Sequence, residues 1–442
     1  TSEERNPAMI VFVSDLHFVD ETAGKHNTTT EAFRIFLEDI RWAAERRKEE
    51  GRPVEEIKLV FLGDIFDLIR TVQWLSLPVS ERPWGSNTRK MEEHANRIFD
   101  DIAAKNQETF SLLGGGLADA AGFHVEPERY YVPGNHDRLC NLFPSLRKKV
   151  RRALGMTPGD GPFAHFFQDT DHGVFARHGH EHDKFNYEGG LGYRYSDYMR
   201  VPIGDPITTE LVAGLPWKVM QHPTVRKLPE KDRASLKKNL EEIENVRPFS
   251  STLEWLLYQV KNNLYVKEAI EDSVDELVEG FEKLPFVKKW YAHHDRWLDW
   301  TDEADKVQAV LFLLRTFRVF ASEKWLPLLD KASKWFAEDE LAKAAPGEYA
   351  HADSRIRYVV YGHTHDPLQS AVRLAPTPQG PRPHVYLNTG TWRTRYHKCR
   401  EGLGFIGWKN MTYATFWKKE ERGLDFPSFE TWTGTLKSEQ ES

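Results

Sequence analysis

The chain has 442 residues, enough for one large or two ordinary domains around a substantial core. Its 60 Lys and Arg against 67 Asp and Glu leave a net charge of −7, so there is no global basic footprint for neutralising a nucleic-acid backbone. Cys140 and Cys399 are the only cysteines. No disulfide framework is indicated, and a cytoplasmic location is expected. No apolar run reaches membrane-spanning length, and no signal-like apolar segment precedes the first strand.

Residues 8–14 form a nearly continuous apolar run, as a strand buried on both faces requires. Thr28 and Glu31 have the spacing of a capping box, and Ala32, Phe33, Phe36, Leu37, Ile40 and Ala44 follow at helical intervals. A second strand is predicted over Ile57 to Leu62, ending in Gly63-Asp64. One long helix is predicted from about Met91 to Leu113, stopped by Gly114-Gly115-Gly116. Strands are expected again at Arg129 to Val132 and at Val174 to Arg177. This alternation predicts an α/β fold, with a sheet flanked by helices.

The pattern then changes. From about 206 to 350 the strand signal fades and amphipathic stretches take over. Val274, Leu277, Val278 and Phe281 recur at helical spacing, and so do Val307, Val310, Leu311 and Leu314. The run from Val307 to Phe320 is apolar nearly all round and predicts a buried helix. Pro216, Pro223, Pro229, Pro285 and Pro327 punctuate this region. It reads as a large all-helical insertion of four to six helices. Strands resume at Ile356 to Tyr361, His384 to Leu387 and Met411 to Trp417, and the tail after about Thr435 is expected to be disordered. The chain thus divides into 1–205, a helical segment 206–350, and 351–442, with the sheet-bearing unit split by the insertion.

Several short strings directly follow these strands: Asp15-Leu-His17, Gly63-Asp64-Ile-Phe-Asp67, Gly134-Asn135-His136-Asp137 and Gly362-His363-Thr-His365. Asp15 and His17, two residues apart on a strand end, point the same way and can share one cation. Asp64 has two carboxylate oxygens and can bridge two cations, while Asn135 offers an amide oxygen. His363 and His365 repeat the two-residue spacing. Mixed carboxylate, imidazole and amide donors suit divalent first-row metals such as Mn²⁺, Fe or Zn²⁺.

With His178-Gly179-His180 after the fourth strand, the order D-x-H, G-D-x-x-D, G-N-H-D, H-G-H and G-H-x-H resembles the calcineurin-like metallophosphoesterase superfamily over roughly 8–200 and 355–395. The resemblance implies a β-sandwich flanked by helices, with two metal ions at the strand ends. It assigns Asp15, His17, Asp64 and His365 to the first metal, and Asp64, Asn135, His178 and His363 to the second, Mn²⁺ being favoured. His178 is preferred to His180 and His182 because the family uses the histidine directly before glycine. His136 is then expected to face the leaving-group oxygen, oriented by Asp67. The implied reaction is attack on phosphorus by a hydroxide bridging two metals about 3.5–4 Å apart.

Leu68-Ile69 after Asp67, and Asp137 after His136, depart from the protein serine/threonine phosphatases of this superfamily. The motifs look more like bacterial and archaeal phosphodiesterases. A phosphodiester or pyrophosphate is therefore the expected substrate. A DNA or RNA exonuclease is the alternative within the superfamily, although a nucleic-acid partner is not favoured by the charge. A non-catalytic metal-binding scaffold is the alternative of another class, but it would need a lost ligand, and none is lost. Lys25, His26, Arg138, His180, Arg393 and Arg395 are candidate substrate contacts. The insertion reads as a cap in which Trp217, Trp290, Tyr291, Trp297 and Trp300 contact the leaving group or simply pack the helices. Oligomeric state has no signal in the sequence.

Overall fold

In the computed structural model the described residues are 8–49, 54–190, 194–247, 251–260, 264–294, 340–351, 353–376, 380–401, 404–419 and 426–440. Strand β1 (Ala8–Val13) is buried along its whole length, and its pleat divides the side chains between two cores. Ile10 and Phe12 face one core together with Val60 and Leu62 of β2 (Glu56–Leu62) and Val132 of β3 (Glu128–Val132). Met9, Val11 and Val13 face the other, where Leu59, Phe61 and Tyr131 join them. These three strands run parallel. Their crossovers contain α1 (Thr30–Glu49), α2 (Thr88–Lys105) and α3 (Gln107–Gly114). Phe33, Phe36, Leu37, Ile98, Phe99 and Ile102 cover the second face from these helices.

A second sheet contains β4 (Phe167–Asp169), β5 (Val174–Ala176), β7 (Tyr358–Tyr361), β8 (Leu368–Ala375) and β9 (Arg382–Asn388), in the order β4-β5-β7-β9-β8. Val174, Ala176, Tyr358, Val360 and Leu387 pack on Ile10, Phe12, Val60 and Leu62, so the two sheets lie face to face. The outer face, Phe175, Val359, Tyr361 and Tyr386, is covered by Leu341, Ala345 and Tyr349 of the helix Glu340–His351. The layers therefore run helix, sheet, sheet, helix, a mixed α/β architecture as expected.

The first sheet continues through β11 (Phe405–Trp417). One edge of β11 is paired throughout with β12 (Ser428–Gln440), while β1 and β10 (Thr394–Lys398) share the other. The expected disorder after Thr435 is thus corrected: the segment is strand as far as Gln440. Its polar character fits an edge strand of the sheet, not a lack of pairing.

Other local expectations also change. The helix predicted from Met91 to Leu113 breaks at Asn106, whose side-chain amide donates to the Ile102 carbonyl at 2.9 Å. The Thr28–Glu31 capping box is not formed. Helix α1 begins at Thr30, and the Thr28 hydroxyl is buried without a partner among the described residues.

The segment from 206 onward is mainly helical but not all-helical. β6 (Val246–Arg247) pairs with Tyr396 and His397 of β10 and ties the insertion to the first sheet. Pro223 and Pro285 open helices, as their fixed φ favours. Val274, Val278 and Phe281 are buried as the stripe predicts, in a core with Leu215, Val219, Leu240 and Trp255. The predicted helix Val307–Phe320, and Trp297, Trp300 and Pro327, lie outside the described residues. Both cysteines are free thiols. Among the described residues, no helix is long and apolar enough to cross a membrane.

Candidate metal centre

The loops that leave the C-terminal ends of β1, β2, β3, β5 and β7 are bonded to one another. The Asp15 N–H donates to the Gly63 carbonyl at 3.0 Å, and the Gly362 N–H to the His178 carbonyl at 2.9 Å. Asp137, buried at the end of G-N-H-D, accepts the N–H groups of Gly134 (2.7 Å), Asp64 (3.2 Å) and Ile65 (2.9 Å) and the Tyr131 hydroxyl (2.7 Å). It locks the second and third loops together. Thr391 donates to the Asp15 carbonyl at 2.6 Å, and Asn388 donates to that of Gly362 at 2.6 Å. The Asn-Thr-Gly-Thr string at the end of β9 therefore buttresses the first and fifth loops.

Asp15, His17, Asp64, His363 and His365 all have positive φ, between 45° and 72°. L residues rarely adopt this conformation, and a cluster of such outliers is characteristic of functional sites, where the surroundings over-determine the backbone. Two glycines permit the crowding. A Cβ on Gly134 would lie 2.2 Å from Asp64 Oδ1, and one on Gly362 would lie 2.4 Å from Asp15 Oδ2.

The side chains gather in groups able to hold a metal ion: Asp15 with His17 and His365, Asp64 with His178 and the half-buried His363, and His17 with Asp67 and His136. The donor chemistry fits a cation. His178 Nδ1 donates to the Leu62 carbonyl at 3.0 Å, which leaves the Nε2 lone pair 3.1 Å from Asp64 Oδ2. Two lone pairs cannot face each other at that distance, so a proton or a metal must lie between them. Asn135 Nδ2 donates to Asn186 at 3.2 Å, while its Oδ1 is buried with no partner among the described residues. Burial, and secondarily the nearby Asp64 charge, raise the Asp15 pKa against the lowering pull of His178. A divalent ion would relieve this crowding of carboxylates. His365 is held differently. Arg247 can only donate, at 2.9 Å to Nδ1, so the neutral ring carries its proton on Nε2, 3.0 Å from His17 Nε2. Ligation through that nitrogen requires the Arg247 contact to change.

Asp67 serves two rings. It accepts from His136 Nδ1 at 2.8 Å and from His17 Nδ1 at 3.2 Å. One carboxylate therefore presents Nε2 of both imidazoles to the cleft. Burial alone would raise the Asp67 pKa, but His136 and His17 hold it well below the usual range. In the same way burial would lower the His136 pKa, yet Asp67 and Asp64 carry it well above that of free histidine.

The remaining candidates are dispersed around this centre. His180 is buried beside His178 and, with Arg138, lines a cavity next to Asn135. Arg138 is paired with Asp205 at 2.7 Å. His182 turns away to Glu348 and Tyr361. His26 is buried 3.6 Å from Glu242, whereas Lys25 is exposed. Arg395 pairs with Asp366. Trp217 lines a pocket with Ala23, Val72 and Met220, while Trp290 and Tyr291 pack in or against the helical core. The sequence reading missed Asp183, which meets His363 Nε2 at 3.0 Å. Its only sequence signal is its place at the end of the run beginning at His178. It also missed the strap Glu241–Arg247, whose side chains approach the site from a segment without any motif.

One further group bears on stability. His165 lies in the cavity beside Asn135, stacked on Tyr198, and burial depresses its pKa from 6.5 to about 4. The unfolded chain binds the extra proton first, so the stability that neutral His165 contributes is complete above pH 6.5 and lost as pH falls through about 4. Urea unfolding across this window should show a loss approaching roughly 3 kcal/mol, flattened in His165→Gln. An equal slope in both proteins would contradict the assignment.

No family model matches the chain, and no curated protein matches it. Fold and site therefore stand on their own geometry: a mixed α/β protein with two face-to-face sheets and buried His/Asp groups that could hold metal at their joined strand ends.

Proposed function

We propose that the protein is a dinuclear-metal-dependent phosphoesterase of the calcineurin-like type, acting on a phosphodiester or pyrophosphate. The observation that carries this reading is the convergence of Asp15, His17, Asp64, His363 and His365 from three loops, all in left-handed backbone and within two donor groups. Asp15, His17, Asp64 and His365 would hold one ion, and Asp64, Asn135, His178 and His363 the other. Such ions supply electrostatic activation of the phosphoryl group and of the attacking water.

The chain's own residues do the rest. His136, with Nδ1 bonded to Asp67, carries a proton at Nε2 for the departing oxygen. Asp67 also keeps the His17 tautomer that turns Nε2 toward Asp15 and Asp64, each at 3.9 Å.

The test is metal analysis of the purified protein followed by hydrolysis assays with Mn²⁺. An aryl monoester, an aryl diester, a nucleotide-sugar pyrophosphate and single-stranded DNA should be compared. Bound divalent metal with turnover of the diester or pyrophosphate is expected. Full metal occupancy with no hydrolysis of any of the four would defeat the enzyme reading in favour of a metal-binding scaffold.

A further inference from the structure

We infer that Arg70 and Arg393 form an anion-binding subsite beside His136, filled by the Glu244 carboxylate until a substrate phosphoryl group displaces it. The inference rests on the proposed function for its substrate class, but its geometry is independent of the metals. Arg70 follows the second motif and Arg393 follows β9, and both side chains are almost wholly buried, at 2% and 1% exposure. They converge on one atom: Arg70 Nε and Arg393 Nη1 each lie 3.1 Å from Glu244 Oε2. The other oxygen, Oε1, lies 4.0 Å from His136 Nε2, the nitrogen expected to face the reacting group.

Two guanidinium groups against one carboxylate leave a net positive charge and unfilled donors. Arg70 spends Nη2 on the Glu241 carbonyl, but among the described residues Arg70 Nη1 and Arg393 Nε and Nη2 are buried with no hydrogen-bond partner. Leaving charged donors buried and unpaired is costly, so an acceptor is expected beside them. A phosphoryl group offers several charged acceptor oxygens, the complement of two guanidinium forks. Glu244 is also the member of the trio able to leave. Its side chain is 16% exposed, and it sits on the short helical turn Ile243–Asn245 that leads into β6. The competing explanation is a static ion-pair network that only fastens β6 to the sheet.

The experiment is calorimetric titration of the full chain with inorganic phosphate, as purified and after EDTA treatment. Glu244→Gln removes the internal competitor at constant shape and should tighten phosphate binding by about tenfold in both preparations. Glu244→Asp keeps the charge and should stay near the parent. Adding Arg393→Lys, or Arg70→Lys if that protein does not fold, to Glu244→Gln should abolish the gain, because lysine lacks the planar fork. A folded Glu244→Gln protein that binds phosphate no more tightly than the parent overturns the subsite. Tightening without any hydrolysis in the substrate panel would retain the subsite and reject the phosphoesterase. Hydrolysis without tightening would do the reverse.

Discussion

Asp64→Asn should lose bound metal and turnover together, with kcat falling by more than about 10³-fold, at least the cost of deleting a single preorganised transition-state contact. The Asp64 carboxylate faces several partners at once. Asp64 Oδ1 accepts the His136 N–H at 2.8 Å, and Oδ2 lies 3.1 Å from His178 Nε2 and 3.9 Å from His17 Nε2. It therefore stands between the donor group of the first loop and that of the fourth. Asparagine keeps the shape but removes a charge and turns one oxygen into a donor that would face imidazole nitrogen. Elemental analysis beside steady-state rates checks this. A variant retaining full metal and parental kcat would remove Asp64 from the ligand set.

His136→Gln should separate the two properties. Metal content should remain at the parental level, because His136 is not needed by either proposed ligand set, while kcat should fall about 10²–10⁴-fold, the range for a lost general acid. Asp67→Asn should do worse on both counts. Its carboxylate accepts from His136 Nδ1 and from His17 Nδ1, so its loss frees the tautomers of the proposed proton donor and of a proposed metal ligand at once. Substrates with a very acidic leaving group need little protonation and should narrow the His136→Gln deficit. A deficit unchanged between a nitrophenolate and an alkoxide leaving group would count against the acid role.

Much of this was legible from local pattern. The apolar run of residues 8–13 announces a strand buried on both faces because parallel strands in a layered fold have no wet side. The motifs stood out because each followed such a run, and strand ends are where donors can be presented without disturbing the core. Misreadings came where local signals compete. Asn106 could as well interrupt a helix as continue it, and β12 reads as a polar tail because its stability comes from pairing with β11. Edge strands with polar faces carry little hydrophobic periodicity, so register with a distant partner is invisible in the chain.

The sequence by itself determined the mixed α/β class and the order of the donor-bearing strings, because strand burial and donor chemistry are properties of short segments. Only the tertiary structure decided which histidine of 178, 180 and 182 turns to Asp64, that Asp67 bonds two imidazoles, and that Asp137 and Asp183 support the loops. It also decided that Glu244, from a segment with no motif, reaches Arg70, Arg393 and the neighbourhood of His136. These contacts join residues up to 180 positions apart. Their partners are chosen by how the two sheets and the helical segment pack, which no local spacing encodes.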